Sequence, residues 1–248
     1  MAGVAKPKPL VAFEDNMADA ERLVAYARAL TNRRSRRLRL ELREKLVAAL
    51  SLRNRDRDNL DGLESDDLFV VFKPKARLAR SDFADQAPLL RQALVAGCAA
   101  AETFLADWTT DRVRELIRQR GNLSARIRDV SMTVEEWEVV QTKGYPRRAI
   151  TDYVLSPFIN EQASTAPHKV GALLSMVGID KPLSKVDSKR SVRSGTTEME
   201  LTTITDRRNR IAHTSDRRGR GRASISVTEV ERMLAVLRSV VEAIARLA

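Results

Sequence analysis

The sequence predicts an all-α protein, on three observations. Aromatic residues make up 4% of the 248, and Gly (10) and Pro (8) are few, while Ala, Leu, Arg and Glu dominate, a balance that favours helices over sheets. Apolar residues recur every three or four positions over long windows, most clearly at Val230, Leu234, Leu237, Val240, Val241, Ile244 and Leu247. Capping-box patterns also open such windows, at Thr133 to Glu136, Thr197 to Glu200 and Thr228 to Glu231.

Taken in order, the tail to about Phe13, with Lys6-Pro7-Lys8-Pro9, is expected to be extended or disordered. A first helix starts at Asp15 or Asn16 and runs to about Leu30, with Leu23, Tyr26, Ala27 and Leu30 on one face. A second spans about Ser35 to Leu50, with Leu38, Leu42, Leu46 and Leu50 at spacing four and arginines at 33, 34, 36, 37, 39 and 43. Those arginines make either a solvated face or a phosphate platform. The mixed-charge stretch from Arg53 to Asp67 reads as a linker, and Leu68 to Phe72 as an extended segment. From Asp85 to about Trp108 comes the most apolar helix, with Pro88 in its first turn. Further helices follow over Asp111 to Val130 with an interruption at Gly121-Asn122, then Thr133 to Thr142, Arg147 to Ile159, and Pro167 to Val177 with Gly178 as its stop. Asp180 to Gly195 lacks an apolar period and is expected to be a mobile basic loop. The last two helices begin near Thr197 and Thr228, joined by the Arg/Gly segment 214–222.

This divides the chain into an N-terminal helical extension and linker, residues 1–80, and a helical domain, residues 81–248, with a helical insertion at about 131–195. The net charge of +11 points to a polyanion, RNA or DNA ahead of an acidic membrane surface. A lone cysteine, Cys98, sits in an apolar run and is expected to be a buried structural thiol. The longest wholly apolar run, Ala93 to Ala101, is too short to span a bilayer, and no secretory leader is recognisable. The expectation is a cytoplasmic protein with no membrane partner.

Chemistry concentrates in Leu201 to His213. Leu201, Ile204 and Ile211 form an apolar seam whose missing member is Arg208, and Thr205, Asn209 and His213 form a polar stripe beside it. A guanidinium on such a seam needs a carboxylate or an anionic ligand, because it cannot shed its charge. An arginine, an amide and an imidazole at one helix end suit phosphodiester chemistry on RNA. His213 would activate a 2′-hydroxyl against the adjacent phosphorus, and Arg208 would hold the phosphoryl oxygens. That attack needs no metal or other cofactor, in keeping with a chain of two His and one Cys. Arg207 and Arg210 beside it, and Arg217, Arg218, Arg220 and Arg222 in the following segment, are candidate phosphate contacts. The other histidine, His168, stands in no motif and is expected to be structural or exposed.

The run Arg208-Asn209-Arg210-Ile211-Ala212-His213 resembles the Arg-x4-His motif of the HEPN superfamily, in the form with Asn directly after Arg. Asn is scarce in this chain, so that residue makes the match more specific than the spacing does. The resemblance covers roughly residues 85–248. It implies a helical bundle of four to five helices and a metal-independent endoribonuclease leaving 2′,3′-cyclic phosphate and 5′-hydroxyl ends. Such enzymes serve as toxins or phage-defence effectors, and two subunits face their motifs across a shared cleft. An antitoxin or sensor partner would restrain the activity. In this reading Glu102, the polar exception on the most apolar helix, faces the interior and pairs with Arg208; otherwise it is an ordinary surface residue. Two rivals stand beside it: a non-catalytic HEPN-like module that binds RNA or nucleotide, and a basic helical DNA-binding or scaffold protein in which the motif is coincidence.

Overall fold

The structure, a computed structural model, describes residues 7–31, 85–119, 124–219 and 221–247, with the isolated positions 44, 47, 48 and 51. Most of the expected second helix and its arginines, the linker and the extended segment lie outside the described residues, as do Gly121-Asn122 and Arg220.

The protein is all-α. In chain order the helices are α1 (Lys8–Thr31), α2 (Ala87–Arg118), α3 (Ala125–Arg128), α4 (Val134–Thr142), α5 (Pro146–Ile150), α6 (Ser156–Gln162), α7 (Pro167–Met176), α8 (Pro182–Arg190), α9 (Thr196–Thr214) and α10 (Val227–Ala245). A π-helical turn, Thr151–Leu155, joins α5 to α6. Among the described residues the only strands are β1 (Arg217–Arg218) and β2 (Gly221–Arg222), an antiparallel pair between α9 and α10.

The axis of the bundle is α2, against which α1, α10 and α9 pack, and which α6 and α7 also touch. It is one unbroken helix, whereas the sequence suggested a break after Trp108. Thr109 and Thr110, between the two expected helices, are buried with Val113, so packing carries the helix past them. Gly97 lies where α2 meets α10, and a Cβ there would collide with Leu234 Cδ2. One window within α2 is long and apolar enough to cross a membrane by composition, and 61% of that window is buried in the bundle.

Three expectations about element boundaries are corrected. The helix α1 begins at Lys8, not near Asp15. Pro9 falls in the first turn, where its missing N–H costs nothing, and the Pro7 carbonyl accepts the N–H groups of Leu10 and Val11. Phe13, expected in the tail, is buried edge-on to Phe104 with ring centroids 6.0 Å apart. The buried face is Phe13, Met17, Ala20, Val24 and Ala27, with Tyr26 exposed, and it belongs to the same core as α2 and α10. At the other end, the cap of α10 is Ser226, two residues before the expected Thr228, with its Oγ accepting from Glu229 N.

The third correction is the segment 180–195, which is folded. The helix α8 buries Val186 and Asp187. Instead of a local capping box, the start of α9 is capped by Asp187, whose carboxylate accepts from the N–H groups of Gly195 (2.7 Å) and Thr197 (2.9 Å). Arg190 extends the junction, donating to Ser239 on α10 and to Thr197 and Glu200 on α9. No apolar period announced this helix, because its order comes from these long-range polar contacts.

Burial raises the Asp187 carboxyl, but its hydrogen bonds to Thr197 and Gly195, helped by the Arg190 charge, outweigh this and hold it below the ordinary carboxylate range. A lowered folded value means stability that is present above the unfolded value of about 4 and is lost as pH falls toward the folded one. Asp187→Asn should therefore cost about 2 kcal/mol at neutral pH. The gap between its melting temperature and that of the wild type should close on acidification below about pH 4. A gap that is independent of pH would show that the carboxylate charge does not cap α9.

Candidate functional site

The helix α9 carries the site. Leu201 and Ile204 are buried on the expected seam, which turns α9 toward α2. One turn on, the seam reaches Arg208, and the residue opposite is Glu102 on α2. Arg208 Nη2 donates to Glu102 Oε2 at 3.2 Å, and Nη1 donates to Asn209 Oδ1 at 3.1 Å. The other Glu102 oxygen accepts from the N–H of Thr165 at 3.3 Å, at the entry to α7. Thr165 and Thr205 share a hydroxyl hydrogen bond of 3.0 Å, so the buried member of the polar stripe ties α9 to the same junction.

These contacts fix the guanidinium without hiding it. The Arg208 side chain is 29% exposed and that of Glu102 18%. A pair buried to this degree positions the cation more than it stabilises the fold. Cys98, one turn before Glu102, is buried as expected. Burial pushes its thiol up to about 12, with the Glu102 charge adding and Arg208 and the Thr165 hydrogen bond opposing. It is therefore a packed, protonated side chain beneath the ion pair.

His213 is exposed in the last turn of α9, four residues beyond Asn209 on the same stripe. Arg210 is also exposed. Arg207 departs from expectation. It faces inward, with Nη2 2.8 Å from Asp216 Oδ2, and donates to the Ser224 carbonyl. Position 207 lies about 100° round the helix from 208, which takes it off the exposed rim and into the joint with the following segment. Arg217, Arg218 and Arg222 are exposed on the β hairpin, within the Arg/Gly segment that joins the last two helices.

Comparison of the chain with family models, curated proteins and solved structures finds no match.

What the site offers chemically is a fixed, half-exposed cation, an amide beside it, and an exposed imidazole at the helix end. His213 stands five positions after Arg208, so their side chains leave α9 in directions about 140° apart and about 7.5 Å apart along its axis. His168 is exposed at the start of α7. Among the described residues, no group of three or more His, Cys, Asp or Glu side chains is placed to hold a metal ion. Sequence reasoning missed Arg91 and Asp216, which are buried together at 3.2 Å. The one available signal was Asp216 itself, an acid in an otherwise basic run.

Proposed function

We propose that the protein is a HEPN-type endoribonuclease that cleaves RNA through its own 2′-hydroxyl. The observation that carries this reading is the mounting of Arg208: Glu102 and Asn209 hold its guanidinium at the surface, on the helix whose last turn presents His213. In the reaction the His213 imidazole accepts the 2′-hydroxyl proton as the oxygen attacks the adjacent phosphorus. The bond from phosphorus to the 5′-oxygen breaks and that oxygen takes a proton from solvent water, leaving 2′,3′-cyclic phosphate and 5′-hydroxyl ends; His213 later returns its proton to solvent. Arg208 donates to the non-bridging oxygens as charge builds on them. The diverging directions of Arg208 and His213 favour a homodimer, in which a facing copy brings its own His213 toward the first copy's Arg208. Exposed Arg210, Arg217, Arg218 and Arg222 hold the RNA backbone without reading its sequence. As the resemblance implies, such an enzyme acts as a toxin or phage-defence effector under the control of an antitoxin or sensor.

The test is incubation of purified protein with an RNA containing single-stranded and paired regions in excess EDTA. Cleavage leaving cyclic-phosphate ends is expected; intact RNA at all protein concentrations would sink the catalytic reading. One observation favours a second reading, that of a non-catalytic RNA-binding module: among the described residues no side chain orients His213, whereas a working base is commonly held by a third group. In that case RNA is bound and recovered whole.

A further inference from the structure

The segment after α9 is held by a carboxylate that the proposed chemistry does not use. Asp216 is fully buried, with φ +60°, and follows Ser215 at φ +53°. Two successive left-handed residues turn the chain back sharply at the helix end, a conformation that non-glycine residues adopt only when their surroundings enforce it. The surroundings do so through nearly every polar group Asp216 has. Its N–H donates to the Arg210 carbonyl at 2.9 Å, and its carbonyl accepts from Ala223 N at 2.8 Å. Its Oδ2 meets Arg207 Nη2 at 2.8 Å and Arg91 Nε at 3.2 Å. Both guanidiniums also reach the returning strand, Arg91 donating to the Ala223 carbonyl and Arg207 to that of Ser224. One buried acid thus ties both ends of the β hairpin to α2 and α9.

The hairpin it closes is opposed by its own sequence. Arg217 stands directly across from Arg222, and Arg218 across from Gly221. Like charges facing each other destabilise a strand pair. Among the described residues Arg217, Arg218 and Arg222 form no salt bridge. A hairpin of this composition stays closed because it is clamped at its base.

We propose that Asp216 is the positioning residue of a phosphate-binding arm. It holds Arg217 and Arg222 as a preformed pair of guanidiniums on one face of the hairpin, with Arg218 on the other, so RNA phosphates meet them without first ordering a loop. This rests on the reading of RNA as the protein's polyanion, though not on cleavage of it. The inward turn of Arg207 serves the arm, while its neighbour Arg208 serves the reacting phosphate.

The test is the salt dependence of binding of a single-stranded RNA to full-length chain carrying His213→Ala, which removes turnover from the measurement. Asp216→Asn should lower affinity about tenfold or more near physiological salt. It should also flatten the slope of log affinity against log salt by about 1.4–2, as for two or three lost phosphate contacts on a single strand. The triple variant Arg217→Gln, Arg218→Gln, Arg222→Gln should flatten it equally, and adding Asp216→Asn to the triple variant should change little further. A merely structural role would not produce that non-additivity. If Asp216→Asn does not fold, Arg91→Met is measured the same way; it frees the Ala223 tether but leaves the Asp216–Arg207 pair. An unchanged slope in the variant that folds, additive losses, or no RNA binding by the parent chain would each overturn the arm. Coupled slopes in a protein that never cleaves RNA would leave the arm standing and remove only the catalytic reading.

Discussion

Replacing His213 with alanine is expected to slow RNA cleavage by about 10²–10⁴-fold, the usual contribution of a positioned acid or base, while leaving RNA affinity and melting temperature nearly unchanged. The split follows from its surroundings. His213 is exposed at the end of α9, so its removal opens no cavity and strands no buried partner. Arg208→Ala is expected to slow cleavage by about 10²–10³-fold and to behave differently in two respects. It leaves Glu102 with one arm of its carboxylate unpaired, so the melting temperature falls as well. Arg208→Lys should not restore the rate, because one ammonium cannot hold Glu102, Asn209 and a phosphate in a planar fork. Single-turnover cleavage and equilibrium binding, measured on the same preparations, separate these effects. Equal losses of binding and rate in His213→Ala would assign the residue to RNA contact instead of proton transfer.

Phe13→Ala is expected to cost about 3–5 kcal/mol, lowering the melting temperature by about 6–20 °C. Phe13 is 1% exposed and packs edge-on to Phe104, so truncation empties a site lined by both α1 and α2. That loss is a large share of the stability of about 5–15 kcal/mol usual for a domain. Val11→Ala, two residues earlier and on the exposed side of the same helix, serves as the control and should stay within about 0.5 kcal/mol. If the two variants melt together, α1 is an appendage and not part of the core.

Where apolar spacing and local capping decide the structure, the sequence was readable. The stripe of α10 is buried as expected at Val230, Leu234, Leu237, Val240, Val241 and Ile244, and the capping box at Thr133 and Glu136 forms with both of its bonds. The question posed by an arginine on the seam of α9 was also legible, since a guanidinium there needs a carboxylate or an anionic ligand, and the structure supplies a carboxylate in Glu102. Reading failed where distant parts of the chain decide. Arg207, Arg208 and Arg210 are chemically identical and differ only in the angle at which they leave α9, yet one is buried against Asp216, one is half-exposed on Glu102 and one is exposed. Asp216 finds its two arginines only because the chain reverses at Ser215, a turn without the glycine that would have announced it. The helix α8 was missed for a related reason, its order coming from Asp187 and Arg190 reaching across to α9 and α10.

The wide turn between α5 and α6 matters well beyond its own surroundings. Ala149 and Val154 lie on one small apolar cluster with Val140, while Leu155 and Ile159 belong to the main core. In a regular α-helix residues five apart diverge by about 140°, so Ala149 and Val154 would not share a side; the π-helical turn brings them into line. A single rod, residues 146–162, thereby acts as a gear meshing with two cores at different phases. Losing one residue from the turn would rotate everything after it by about 100°, swinging Ile159 out of the main core and Thr165 away from Glu102. The aim of Arg208 thus depends, at two removes, on one surplus residue in a helix well upstream of it.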